Sequence, residues 1–171
     1  MSALPESGEA LSAEAYRRID REVAKYPPQQ KRSAVLSALV IAQDELGWLP
    51  AWAIEAVASY LAMPAIAAYE VATFYSMLDL QPVGRFKLTL CTNLPCALSG
   101  ATRAAARLKQ RLGIGFGETT PDGLFTLKEG ECFGACGDAP VALLNNKRMC
   151  SLLSDERLDQ LLDELKHEGK P

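Results

Sequence analysis

The chain is 171 residues long, with 49% apolar and 23% charged residues, a composition ordinary for a globular protein and unlike that of a disordered one. Eighteen Lys plus Arg against twenty-one Asp plus Glu leave a net charge of −3, which offers no basic footprint for nucleic acid. A single histidine, His167, beside five cysteines disfavours Ser-His-Asp catalysis and multi-histidine metal sites, so metal or redox chemistry has to run through thiols.

Met1–Ala10 lacks the basic and then apolar pattern of a signal peptide. The most apolar stretch, Trp52–Tyr69, is interrupted by Glu55, Ser59 and Pro64 and does not read as a membrane span. Together these features predict a soluble, cytoplasmic protein with no direct membrane insertion. In that compartment grouped cysteines are ligands or redox groups more often than disulfides.

The first half is predicted helical. Tyr16, Ile19 and Val23 recur at helical spacing, and Pro27-Pro28 ends that segment. Val35, Leu36, Leu39, Val40 and Leu46 mark a second helix with Gly47 placed for a left-handed cap. A third helix is expected from about Ala51 to Leu61, and Pro64 suits the start of a fourth carrying Ile66, Tyr69, Val71 and Phe74. The stretch Asp79–Gly84, with Pro82 and Gly84, reads as a boundary, so the expected domains are 1–80, a helical bundle, and 81–171.

The second half mixes strands and helices. Arg85–Leu90 alternates polar and apolar residues as a strand does. Ala97–Leu112 reads as one helix closed by Gly113, and the turn Pro121-Asp122-Gly123 leads into a strand over Leu124–Leu127. Val141–Leu144 and Arg148–Ser151 flank a hairpin turn at Asn145-Asn146-Lys147. A last helix opens at Ser154 and buries Leu158, Leu161, Leu162 and Leu165. The fold class expected is α+β, a helical bundle followed by a small sheet covered by helices, thioredoxin-like in outline.

Four cysteines form two pairs, with four residues between Cys91 and Cys96 and three between Cys132 and Cys136. The first pair begins where the first strand ends, and the second precedes the Val141 strand. Loops at one end of a small sheet can bring four thiolates together, the donor set that two sulfide-bridged irons take. A four-cysteine zinc site accepts similar spacing, and unligated thiols are the third reading. No C-x-x-C motif is present, which disfavours disulfide exchange. Cys150, alone in a strand, reads as a small buried hydrophobe.

The segments IAQDELGWLP from Ile41, VATFYSM from Val71, CTNLPC from Cys91, GETTPDGLFTL from Gly117 and ECFGACGDAP from Glu131 resemble the family of E subunits of NADH-quinone oxidoreductase, respiratory complex I. The resemblance runs from the first helix to the last. It implies a thioredoxin-like domain with one [2Fe–2S] cluster, with Cys91, Cys96, Cys132 and Cys136 as cofactor and metal ligands. It also implies an electron-transfer subunit that is not catalytic alone, peripheral to the inner membrane. FMN and NADH would then be bound by a partner subunit whose flavin exchanges electrons with the cluster as a side branch, within a complex of further subunits. Phe133 departs from the family, where leucine is more usual, and Gly137-Asp138 stands where members vary. The alternatives are the equivalent small subunit of an NAD-dependent formate dehydrogenase or NAD-reducing hydrogenase, and a non-redox zinc module.

Other features carry less. Gly113-Ile114-Gly115-Phe116-Gly117 follows a helix instead of a strand, so it reads as cap and loop and not as a dinucleotide fingerprint. Trp48, Trp52, Tyr69, Phe74 and Tyr75 could form a partner surface, but aromatics in such helices are more often core, and they are expected mainly there. The charges from Asp155 to Lys170 read as a solvated face, and His167 as a surface residue.

Overall fold

The computed structural model describes residues 10–168, so the readings of the N-terminus and of Lys170 lie partly outside the described residues. These residues form two compact units, one ending at Pro82 and the other starting at Val83.

The first unit holds helices α1 (Ala13–Val23), α2 (Val35–Leu46), α3 (Ala51–Tyr60) and α4 (Ala65–Phe74), with a 3-10 segment at Pro28–Ala34 that the sequence pattern did not mark. Ser12 caps α1 by accepting the Ala15 N–H at 3.1 Å, and Gly47 ends α2 at φ 83°, a left-handed conformation costly for residues with a Cβ. Ile19, Leu39, Ile54, Val57 and Leu61 fill the core, and buried alanines at 38, 42, 53, 58, 68 and 72 let the helices approach closely. Gln43 ties α2 to the chain leaving the unit: its amide accepts the Asp79 N–H at 2.6 Å and donates to the Met77 carbonyl at 3.0 Å.

The expected burial of the aromatics holds only in part. Trp48, Trp52 and Tyr69 are half-buried, whereas Tyr75 is exposed and Phe74 is 79% exposed. Ile66, expected on the apolar side of the fourth helix, is also exposed. For Ile66 and Phe74 the reason is helical phase. Ala68 and Ala72 face the core, and residues two positions away on either side lie about 200° around the helix.

The second unit is a five-stranded sheet of order β2-β3-β1-β4-β5, with β1 at Phe86–Cys91, β2 at Glu118–Thr119, β3 at Phe125–Gly130, β4 at Ala142–Leu144 and β5 at Arg148–Cys150. β1 and β3 run parallel with Cys91 opposite Gly130, while the other neighbours are antiparallel. The short edge strand β2 has too little pattern to be read from sequence. The β4–β5 turn places Asn145 and Asn146 at φ 51° and 58°, which asparagine tolerates better than most residues.

The helix expected over Ala97–Leu112 is divided. α5 (Leu94–Leu98) and α6 (Ala101–Leu112) are separated by Gly100 at φ 101°, so Cys96 sits on a short helix of its own. α7 (Asp155–Glu168) packs beside α6. Leu88, Leu90, Leu108, Phe125, Leu127, Leu158 and Leu162 form the core between sheet and helices. Three arginines one turn apart on α6, Arg103, Arg107 and Arg111, meet Asp155, Asp159 and Asp163 on α7. Gly113 closes α6 at φ 68°, which agrees with its reading as a cap.

Candidate metal centre

The sheet order explains where the cysteines fall. β1 is central, β3 lies parallel beside it, and both chains leave the sheet at the same end. Cys91 is the last residue of β1, and Cys96 follows on α5, whose first turn Asn93 caps by accepting the Leu94 N–H at 3.0 Å. Cys132 and Cys136 occupy the loop between β3 and β4, with Cys136 opening a 3-10 turn that ends at Asp138. This loop returns to the sheet beside β1, where the Cys91 N–H donates to the Val141 carbonyl at 3.0 Å.

The two pairs differ in burial. Cys91 and Cys96 are each 1% exposed and pack with Ala101 and Val141, against which Phe133, Ala135 and Ala139 also rest. Cys132 and Cys136 are exposed, with their Sγ atoms 3.6 Å apart. Two thiolates on one tetrahedral metal with bonds of about 2.3 Å stand roughly 3.8 Å apart, so this pair is spaced for a shared metal ion. Among the described residues no group of three or more His, Cys, Asp or Glu side chains converges on a single ion position.

A backbone N–H points at one of the sulfurs. Gly134, at φ 75°, donates to Cys132 Sγ at 3.4 Å. Burial pushes the Cys96 thiol up, Cys91 adds to this through a hydrogen bond, and the Val141 N–H works the other way. Cys136 is raised first by its hydrogen bond with Cys132. Thiols crowded together resist ionising together, and a metal removes that conflict by accepting each lone pair. The donor set is therefore four thiols in two pairs with the Gly134 N–H aimed at one of them, and it fits two sulfide-bridged irons.

Three features around the thiols carry no motif in the sequence. Thr92 Oγ1 donates to Glu129 Oε1 at 2.8 Å, and Asn93 Nδ2 donates to Glu131 Oε2 at 3.1 Å, across the two chains leaving the sheet. The Phe133 ring lies against Gly130, which has no Cβ to obstruct it. Apart from Phe133, singled out above for standing where leucine is more usual, adjacency to the cysteines is the only sequence signal for them. Cys150 is away from this group in the main core of the unit, 8% exposed, and burial raises its thiol pKa. His167 is exposed on the last helix. Among the described residues no helix is long and apolar enough to cross a membrane.

Residues 19–166 match the thioredoxin-like [2Fe–2S] ferredoxin family. The chain is 46% identical over 149 residues to the E subunit of NADH-quinone oxidoreductase from Rickettsia felis, covering 86% of this chain and 89% of that one. It is 45% identical over 145 residues to an E subunit of NADH-quinone oxidoreductase from Rhizobium meliloti, covering 85% and 84% respectively. The fold is similar to that in an NAD⁺-reducing [NiFe]-hydrogenase in the air-oxidised state, at TM-score 0.69 and 23% identity, covering 80% of this chain and 23% of the hydrogenase chain. The chain belongs to the thioredoxin-like [2Fe–2S] ferredoxin family and, within it, to the relatives of the E subunits of NADH-quinone oxidoreductase.

Proposed function

We propose that this chain is the electron-transfer subunit of an NADH-quinone oxidoreductase, with Cys91, Cys96, Cys132 and Cys136 as the ligands of one [2Fe–2S] cluster. The observation that carries the reading is the delivery of two thiol pairs to one end of the sheet by neighbouring parallel strands. On this reading residues 1–80 are a helical domain and residues 81–171 the cluster domain. A bound cluster would supply one-electron storage beside a partner's flavin, which accepts two electrons as hydride.

The chain's own residues do the rest. Cys91 and Cys96, both buried, would hold their share of the cluster away from water, and the exposed Cys132 and Cys136 would hold theirs at the surface. The outer pair gives a partner subunit carrying FMN and NADH a short approach. The N–H group of Gly134 stabilises thiolate charge on Cys132 and so helps set the potential. The complex would sit peripherally at the membrane, with this chain held there by its partners. The identity of 45–46% to quinone-linked relatives favours this assembly over a formate dehydrogenase or hydrogenase.

Protein purified without oxygen should be brown, with about two irons and two sulfides per chain and an EPR signal on reduction. Colourless protein holding one zinc would overturn the reading. Cys132→Ser should lower iron content and Cys150→Ser should not. Co-purification with a flavin-containing subunit tests the partner.

A further inference from the structure

Among the described residues, Asn93 uses both ends of its side chain at the point where the two thiol-bearing segments part. Its Oδ1 accepts the Leu94 N–H at 3.0 Å and so starts α5, which carries Cys96. Its Nδ2 donates to Oε2 of Glu131, the residue immediately before Cys132, at 3.1 Å. Backbone pairing between the two segments runs as far as the Thr92 N–H, which donates to the Gly130 carbonyl at 3.1 Å. Beyond that point, side chains continue the connection.

We infer that Asn93, through Glu131, is a positioning residue that holds the Cys91/Cys96 pair and the Cys132/Cys136 pair at the separation two bridged irons require. The inference rests on the proposed function and deepens it. Two irons joined by sulfides have a fixed separation, whereas the exposed Cys132 loop is otherwise held by its ends, by the Phe133 ring on Gly130 and by the Leu152 N–H donating to the Asp138 carbonyl at 2.8 Å. A bond from the cap of α5 to the residue preceding Cys132 transmits the position of one pair to the other. The second bond, from Thr92 to Glu129, limits the same opening but touches neither α5 nor the Cys132 loop directly.

The roles of the two ends of the amide can be separated. Asn93→Asp keeps an oxygen to cap α5, since Asp and Asn cap comparably, but loses the donor to Glu131 and sets a second carboxylate against it. Glu131→Gln keeps an acceptor for Asn93 and removes the charge. Combining Asn93→Asp with Glu131→Gln restores one donor and one acceptor in reversed order, with the original net charge. The readouts are the rate of iron loss to a chelator and the EPR linewidth of the reduced cluster.

Asn93→Asp should release iron about fivefold faster, the factor that one ordinary hydrogen bond carries, and broaden the signal. Glu131→Gln and the double variant should match the wild type. The inference is overturned if Asn93→Asp behaves as wild type, or if the double variant stays as leaky as Asn93→Asp. It is also overturned if Glu131→Gln alone shifts both readouts oppositely to Asn93→Asp, which would mark a charge effect. A wild-type chain without two irons would overturn the proposed function and this inference together. A loaded wild type with an unaffected Asn93→Asp overturns the inference alone.

Discussion

Phe133 Cζ lies 2.5 Å from the position a Cβ on Gly130 would take, and Thr89 Cγ2 lies 2.7 Å from it on another side. Gly130 is the last residue of β3 and Phe133 the residue after Cys132, so the ring seats the thiol loop on the end of its own strand. Leucine at position 133 would present a smaller, differently shaped surface to the same glycine.

Gly130→Ala should therefore displace the ring or the threonine. Overpacking of this kind costs about 1–3 kcal/mol, and the cost falls on the loop bearing Cys132 and Cys136. A lowered thermal midpoint together with faster iron loss is expected. Adding Phe133→Leu should recover part of both, because the shorter side chain leaves room for the new methyl group. Unchanged iron retention in Gly130→Ala would show that the ring does not seat the loop.

Asn145 joins the β4–β5 turn to the start of β1: its Oδ1 accepts the Lys87 N–H at 2.7 Å and its Nδ2 donates to the Arg85 carbonyl at 3.1 Å. Asn145→Gly preserves the positive φ and removes both bonds. A loss of about 1–3 kcal/mol in denaturant unfolding is expected, with iron content unchanged because the turn lies outside the thiol group. A shift below about 0.3 kcal/mol would mean that these bonds exchange freely with water.

Asp159 carries a sign that can be tested with acid. Its hydrogen bond from Arg107 holds its carboxyl below the usual carboxylate range, with Arg111 also contributing. A depressed folded-state pKa gives stability that is present above the unfolded value and lost as pH falls through the folded one. Wild-type stability should fall below about pH 4 more steeply than that of Asp159→Asn, as urea midpoints against pH would read. The pair is partly exposed, so the difference should be small and reduced by salt.

Tyr60 gives the opposite case at high pH. Its hydroxyl donates to Asp20 Oδ1 at 2.6 Å, and that bond is the main reason its pKa is pushed up to about 12. The folded chain keeps this proton while the unfolded chain loses it near pH 10, so stability falls with rising pH between about 10 and 12. Asp20→Asn should move one tyrosine's phenolate absorbance to lower pH. An unchanged titration would show that the bond does not persist in solution.

Much of the fold is determined within short stretches of sequence. Gly47 and Gly113 end helices because a left-handed residue is cheapest without a Cβ, and Asn145-Asn146 makes a tight turn for a related reason. Helical and alternating periodicity marks most of the elements, since it records which side of each faces apolar surroundings. The cysteine spacing is legible too, because each thiol pair lies within a short segment. The break at Gly100 is harder to read: a glycine inside helical periodicity is compatible with either a continuous or a divided helix.

Other properties exist only when distant segments meet. The parallel pairing of β1 and β3 brings Cys91 and Gly130 opposite each other, and no local pattern encodes that register. Which thiol pair is buried and the meeting of Asn93 with Glu131 both follow from that pairing. The outward placement of Phe74 depends on which face of α4 the alanines commit to the core. The sequence by itself determined the kinds of atoms available to hold a cluster. Tertiary structure decided their separation, their burial and what holds them in place, because those quantities belong to pairs of residues and not to single ones.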